Sequence, residues 1–275
     1  MKKALPGDYF GRFREIVSDP LNLLIKRDVA AGTVVDEHVI LHNGLRVARS
    51  GPLAYYDNFS DILVINRGVH EPLEEYVFQE VLKRLPQAPV MLELGAYWGH
   101  YSMWLKKLFP QAVVHLVEPS DERLKAGRVN FAQNGYEGIF VQARVGKGDF
   151  EVDAYFQTMQ TEKLNLLHSD IQGAEVEMLQ GASDTLYSGK VDYLFISTHG
   201  PNRHSKVLEL LKKYNYRIEV SSDFTHETTS FDGFVMACHP DLESVFPEWV
   251  PLGRKDILKS SPRKLVKSLQ LQLNR

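Results

Sequence analysis

The chain has 275 residues, a formal net charge of −3, 44% hydrophobic residues and 24% charged residues. These are the proportions of one ordinary globular domain with or without an added lobe, and they exclude the basic excess of an electrostatic nucleic-acid binder. The single cysteine, Cys238, excludes an internal disulfide and any zinc site built from paired cysteines. The opening residues, MKKALPGDYF, lack the apolar core of a secretory signal. No apolar run reaches the roughly 18 residues of a membrane span, so a cytoplasmic protein is expected.

In chain order, a helix is expected near residues 8–18. VVDEHVILHNGLRVA alternates apolar and polar residues around Asn43-Gly44, a pair that favours the left-handed dihedrals of a tight turn, so it reads as a β-hairpin. SDILVINRG reads as a further short strand. Residues 1–66 are therefore expected to form an N-terminal cap of helix and hairpin. EPLEEYVFQEVLKRL carries Leu73, Val77, Val81, Leu82 and Leu85 at helical spacing and is ended by Pro86 and Pro89.

Strands and helices then alternate. The strands are PVMLELG, AVVHLVE, GIFVQARV, LNLLHSD and VDYLFIST. The helices are HYSMWLKKLF, SDERLKAGRVNFAQNG, AEVEMLQGA and SKVLELLKKY. YRIEVSS and FDGFVMACH follow as two strands with no room for a helix between them. Alternation of this kind predicts an α/β fold, a parallel sheet covered on both faces with an antiparallel last strand. Five βα units closed by a hairpin match the Rossmann-like sheet of class I methyltransferases, here over residues 67–240. The tail, 241–275, ends in a basic amphipathic stretch. Lys259, Arg263, Lys264, Lys267 and Arg275 interleave with Leu258, Leu265, Val266, Leu269 and Leu271. It is expected to dock on the body or on a second subunit, as in a homodimer, with weak peripheral contact to an anionic membrane as the other reading.

MLELGAYWGHYS places Gly95 and Gly99 just after the first strand of the sheet, where ligands of doubly wound folds bind. A dinucleotide cradle needs G-x-G-x-x-G, and that spacing is absent. Glu93, at the strand's end, would repel a pyrophosphate but suits the cationic amino group of S-adenosylmethionine, whose carboxylate the loop N–H groups can hold. Glu118, at the end of the second strand, can accept hydrogen bonds from both ribose hydroxyls. Ala96, Tyr97, Ser102, Pro119 and Ala143 complete the expected cofactor lining, Ala143 by its place after the third strand.

Four stretches together resemble the FkbM family of S-adenosylmethionine-dependent methyltransferases. They are Glu71-Pro72, ELGAYWGHYS, LVEPSDERLKAGRVNFAQNG and SDIQGAEVEMLQGA. In the last, Asp170, Gly173, Glu175, Leu179 and Gly181 match the family pattern, while Gln172 stands where a glutamate is usual. The resemblance covers about residues 66–238. It implies a class I methyltransferase that uses S-adenosylmethionine, most often on an oxygen of a sugar or natural product and in some members on nitrogen. It leaves the small-molecule acceptor open.

Methyl transfer requires an aligned acceptor and often a base. Asp170, which also belongs to the expected cofactor set, Glu175 and His199 lie at the carboxyl edge of the sheet and are the expected catalytic residues. His199 has a side-chain type that titrates near neutrality. His199, His204, His226 and Trp98 are expected to meet the acceptor, with Glu227 and Asp232 as further contacts from the last loop. Asp170, Glu175, His199 and His226 are of ligand type, but no spacing signature marks a metal site, and none is expected. The rival readings are nitrogen methylation and a scaffold that has lost catalysis.

Overall fold

Two of the apolar runs beyond Pro86 carry no polar alternation because their strands are covered on both faces. The computed structural model describes residues 13–14, 16–55, 60–225, 232–247 and 249–273. It divides into two compact units, one of Met1–Val81, Ser222–Phe231 and Pro251–Arg275, the other of Leu82–Ser221 and Asp232–Val250. The expected boundary at residue 66 thus falls inside the first unit, and the expected tail is divided, 241–250 going with the second unit and 251–275 with the first.

The first unit holds a three-stranded sheet in the order β1 (Val34–Val35), β2 (His38–Ile40), β3 (Arg46–Ala48). The tight two-residue turn is Asp36-Glu37, with φ of 47° and 60°, between the paired Val35 and His38. Two consecutive left-handed residues are the geometry of a type I′ hairpin turn. Asn43-Gly44 lies instead in the five-residue link from β2 to β3, where only Gly44 of the pair is left-handed. SDILVINRG is not a strand. It forms helix α1 (Asp61–Ile65), burying Ile62 and Leu63 and exposing Ile65. Periodicity cannot separate strand from helix in so short an apolar run.

Helix α2 (Pro72–Leu82) follows, and its Glu75 reaches back to accept the backbone N–H groups of His70 and Glu71 at 2.8 and 3.0 Å. Most of the helix expected near residues 8–18 lies outside the described residues.

The second unit contains the seven-stranded sheet. Its strands are β4 (Val90–Leu94), β5 (Val113–Val117), β6 (Ile139–Val141), β7 (Leu164–Ser169), β8 (Val191–Thr198), β9 (Arg217–Ser222) and β10 (Gly233–Cys238). Their order is β6-β5-β4-β7-β8-β10-β9. The five from β4 to β8 are parallel, and β10 runs antiparallel to β8, pairing Gly233 with Thr198 and Cys238 with Tyr193. The chain winds outward from β4 to β6, then returns to β7 beside β4, so the order reverses at that pair. A crevice beyond the strand ends at such a switch point is where open α/β sheets take ligands.

Helices α3 (His100–Leu108), α4 (Asp121–Gln133), α6 (Glu175–Gln180) and α8 (Pro201–Lys213) match the expected βα units. Two short helices were not anticipated, α5 (Val152–Thr158) and α7 (Ser183–Tyr187). The start of α7 is capped from a distance, because the Asp153 carboxylate accepts the N–H groups of Asp184 and Thr185 at 3.0 and 2.8 Å. Leu92, Leu94, Leu167, Met178, Leu194, Ile196, Val207 and Val235 form the core between sheet and helices.

The tail forms two helices, α9 (Arg254–Lys259) and α10 (Pro262–Leu273), broken where Pro262 opens the second. Within the first unit, Tyr76 Oη of α2 donates to Gln272 Oε1 of α10 at 3.3 Å. Among the described residues, no helix is long and apolar enough to cross a membrane.

Candidate active site

The chain leaves β4 through Gly95, whose φ is 74°. A Cβ there would lie 1.9 Å from the carbonyl oxygen of Asp170, so only glycine lets the first loop press against the exit of β7. The backbone locks the same junction, with Asp170 N–H donating to the Leu94 carbonyl at 2.9 Å. Gly99, also at 74°, opens α3, and a Cβ would meet the Phe131 ring at 2.8 Å. Between them, Tyr97 is left-handed too, and the Ala96 N–H donates to Val117. Three left-handed residues in five shape a tight concave loop at the switch point.

Around this loop the expected cofactor residues divide. Glu118 is buried, and its two carboxylate oxygens accept the N–H groups of Tyr97 at 3.3 Å and Ser120 at 2.9 Å. A carboxylate oxygen has two lone pairs, so each retains capacity for one more donor. Burial pushes the Glu118 carboxyl above its ordinary range against those two N–H groups and the charge of Arg123. Tyr97 is half-buried, with the Arg123 guanidinium 5.0 Å over its ring. Pro119 is exposed, its carbonyl accepting from Gln142 Nε2 at 3.4 Å, and Ala143 is half-buried nearby in sequence.

Glu93 and Ser102, both expected to line the cofactor, meet each other beside the loop. Glu93 is buried, and its Oε2 accepts the Ser102 N–H at 3.1 Å. It acts as a side-chain cap for α3, because Gly99 at the N-cap has no side chain to do so. Ser102 is wholly buried.

Two expected acceptor contacts are corrected. Trp98 is buried and stacks on His100, ring centroids 5.1 Å apart, so it packs the helix instead of facing an acceptor. His204 is buried, with Nδ1 2.8 Å from Thr198 Oγ1 and Nε2 2.9 Å from Ser221 Oγ. Both ring nitrogens are engaged, and the residue ties α8 to β8 and β9. His226 and Glu227 lie outside the described residues.

The carboxyl edge of β7 and β8 gathers the remaining groups. His199 follows β8, Asp170 follows β7, Glu175 opens α6 and Asp232 precedes β10. His199 Nδ1 is 2.6 Å from Glu175 Oε1, while Nε2 is 3.4 Å from Asp170 Oδ1 and 3.3 Å from Asp232 Oδ1. Burial would lower the His199 pKa, but the Glu175 hydrogen bond and the charges of Asp232, Asp170 and Glu175 prevail and raise it to about 9. With no cation among the carboxylates, an imidazole so surrounded holds its proton firmly and is a poor general base. The carboxylates of Asp170 and Asp232, 35% and 23% exposed, are better placed to receive one. The Glu175 side chain is fully buried, so it positions His199 and does not reach an acceptor.

Gln172 and Arg203 complete this edge. Gln172 is left-handed at φ 54°, and its amide donates to Asp170 Oδ1 at 3.1 Å. A glutamate in the same place would set a second negative charge against Asp170, so the departure at Gln172 supplies a donor to that carboxylate. Arg203 donates from Nε to the Gly173 carbonyl at 2.8 Å and from Nη1 to the His199 carbonyl at 3.2 Å. The sequence carries no signal for Arg203, because its hydrogen bonds are to backbone carbonyls and its carboxylate neighbour, Glu175 at 4.0 Å, is far away in sequence.

A family model for the methyltransferase FkbM domain matches residues 71–218, more than half of the chain. The chain belongs to the FkbM methyltransferase family. It is an S-adenosylmethionine-dependent methyltransferase with a class I fold. Among solved structures, an FkbM methyltransferase from Methylobacillus flagellatus KT is 19% identical with a TM-score of 0.42, covering 57% of this chain and 44% of that one. TrmK from M. capricolum, in complex with S-adenosyl-homocysteine, is 11% identical with a TM-score of 0.44, covering 72% and 83%. A precorrin-6y C5,15-methyltransferase from Geobacter metallireducens GS-15 is 15% identical with a TM-score of 0.44, covering 60% and 88%. A search of curated proteins returns no match. The donor set fits the FkbM cofactor: Glu118 has acceptor capacity for hydroxyl groups, and the left-handed loop from Gly95 to Gly99 brings backbone close to the switch point.

Proposed function

We propose that this FkbM enzyme methylates a hydroxyl oxygen on a sugar or related small metabolite. The observation that carries the reading is the trio Asp170, Asp232 and His199 at the carboxyl edge of β7 and β8, a partly exposed cluster of proton acceptors and donors. A hydroxyl is a weak nucleophile unless its proton is drawn off during attack, whereas an unprotonated amine attacks first and sheds its proton afterwards. Paired carboxylates therefore suit oxygen better than nitrogen.

In this reading Glu118 holds the ribose, the loop Gly95, Ala96, Tyr97 and Gly99 holds the amino-acid end, and Pro119 with Ala143 borders the adenine. When bound, S-adenosylmethionine would supply a methyl carbon on a cationic sulfur, and a new O–C bond would be balanced by loss of the C–S bond with its electron pair kept by the neutral thioether. Asp170 and Asp232 orient the hydroxyl and receive its proton, and His199, fixed by Glu175, holds the two carboxylates in place. The reaction takes place in the cytoplasm.

The test is methyl transfer from labelled S-adenosylmethionine to a panel of sugar hydroxyls and matched amino sugars. Label in an alkali-stable ether is expected. Label confined to the amines would overturn the oxygen reading.

A further inference from the structure

We propose that Asp170, His199 and Asp232 bind a divalent metal ion that holds and acidifies the acceptor hydroxyl. The three residues come from the ends of β7 and β8 and the start of β10, all in the second unit. One ligand-type atom from each lies within 4.8 Å of the other two. Three ligands at about 2.1 Å from one ion sit roughly 3.0–3.4 Å apart, close to the observed 3.3 and 3.4 Å from Nε2 to the two oxygens.

A second observation separates this set from a chance acidic cluster. His199 Nε2 is shielded from solvent, yet it has hydrogen-bond geometry with neither carboxylate. A proton on Nε2 would be expected to draw one carboxylate into a straight bond. The nitrogen instead faces two oxygens almost equally, as a metal ligand does.

The opposite ring nitrogen supports this. Nδ1 lies 2.6 Å from Glu175 Oε1, and Glu175 is fully buried and held in turn by the Gly173 N–H at 2.8 Å. A carboxylate that accepts a hydrogen bond from Nδ1–H fixes the tautomer with the Nε2 lone pair outward, the usual support behind a metal-bound histidine. Arg203 Nε lies 4.0 Å from Glu175 Oε2, and Gln172 donates to Asp170 Oδ1, so the flanking groups orient the carboxylates.

Two carboxylates and one imidazole suit a first-row divalent ion such as Mn²⁺, whose charge the two aspartates would neutralise. The partial exposure of both aspartates leaves positions for a hydroxyl oxygen. Bound there, that oxygen would pass its proton more readily to the uncoordinated oxygen of either aspartate as it bonds the methyl carbon, whose bond to sulfur breaks with the electron pair left on sulfur.

This inference deepens the hydroxyl reading but is tested apart from it. The full chain, stripped with a chelator, is titrated with Mn²⁺ and followed by loss of the free-ion paramagnetic resonance signal. Micromolar binding is expected. Asp232→Asn should weaken it by at least about 100-fold, and Glu175→Gln by on the order of 10–100-fold. S-adenosyl-homocysteine affinity of Asp232→Asn, unchanged from wild type, confirms that the variant is folded. Absence of Mn²⁺ and Zn²⁺ binding up to millimolar concentration would overturn the metal, as would equal binding by wild type and Asp232→Asn. Ether formation that persists in chelator would overturn the metal and leave the hydroxyl reading standing.

Discussion

At the scale of single residues, His199 is where the chemistry concentrates. Its Nδ1 meets Glu175 and its Nε2 faces Asp170 and Asp232, so removing it disturbs all three carboxylates together. His199→Ala is expected to lower turnover by at least about 10²-fold, the low end for loss of a proton-transfer group. A near wild-type rate in steady-state assays would take His199 out of the mechanism. Sequence position identified His199 and Asp170 because both leave the sheet at its ligand-binding edge. It could not show that His204 and Trp98 are buried. Their partners, Thr198, Ser221 and the His100 ring, are fixed by how α3 and α8 pack. Glu93 was legible as a strand-end carboxylate, but its turn toward the Ser102 N–H depends on the missing side chain at Gly99.

At the scale of elements, the parallel strands were legible because strands such as β4 and β8 are covered on both faces and read as mainly apolar runs. The first unit was less so, since Asp36-Glu37 makes its tight turn without glycine and α1 is too short for a helical period to show. The start of α2 carries a titratable anchor of its own. Glu75 Oε2 lies 2.9 Å from His42 Nε2, and Oε1 lies 2.6 Å from His70 Nδ1, all deeply buried. Burial works to raise the Glu75 pKa, but the charges and hydrogen bonds of His42 and His70 hold it well below the ordinary 4.5. Burial likewise opposes protonation of His70, yet Glu75, Glu71 and Glu74 hold its pKa above the ordinary 6.5.

Both shifts stabilise the fold, and they lose that contribution in opposite directions of pH. Glu75, depressed on folding, contributes fully above about 4.5 and loses that contribution as pH falls through its folded value. His70, raised on folding, contributes fully below about 6.5 and loses it as pH rises through its folded value. Urea midpoints measured across pH should therefore peak between about 4.5 and 6.5 and fall on either side. Glu75→Gln should flatten both flanks and cost about 3–5 kcal/mol, the range for breaking a buried ion pair. An unchanged pH profile in that variant would contradict the assignment.

At the scale of the whole molecule, the seven-stranded order places two kinds of site on one sheet edge. The loop after β4 and the end of β5 present backbone and Glu118, while the ends of β7 and β8 and the start of β10 present acid and imidazole. The account assigns the first to the cofactor and the second to the acceptor. Calorimetric titration with S-adenosyl-homocysteine tests that division directly, using wild type, Glu118→Ala and His199→Ala, with folding checked by circular dichroism. Glu118→Ala should bind at least about 10-fold more weakly, as expected when hydrogen bonds to a charged acceptor worth about 1.5–3 kcal/mol are lost. His199→Ala should bind as wild type does. Wild-type affinity in Glu118→Ala, or equal weakening in both variants, would contradict the division of the edge into a cofactor side and an acceptor side.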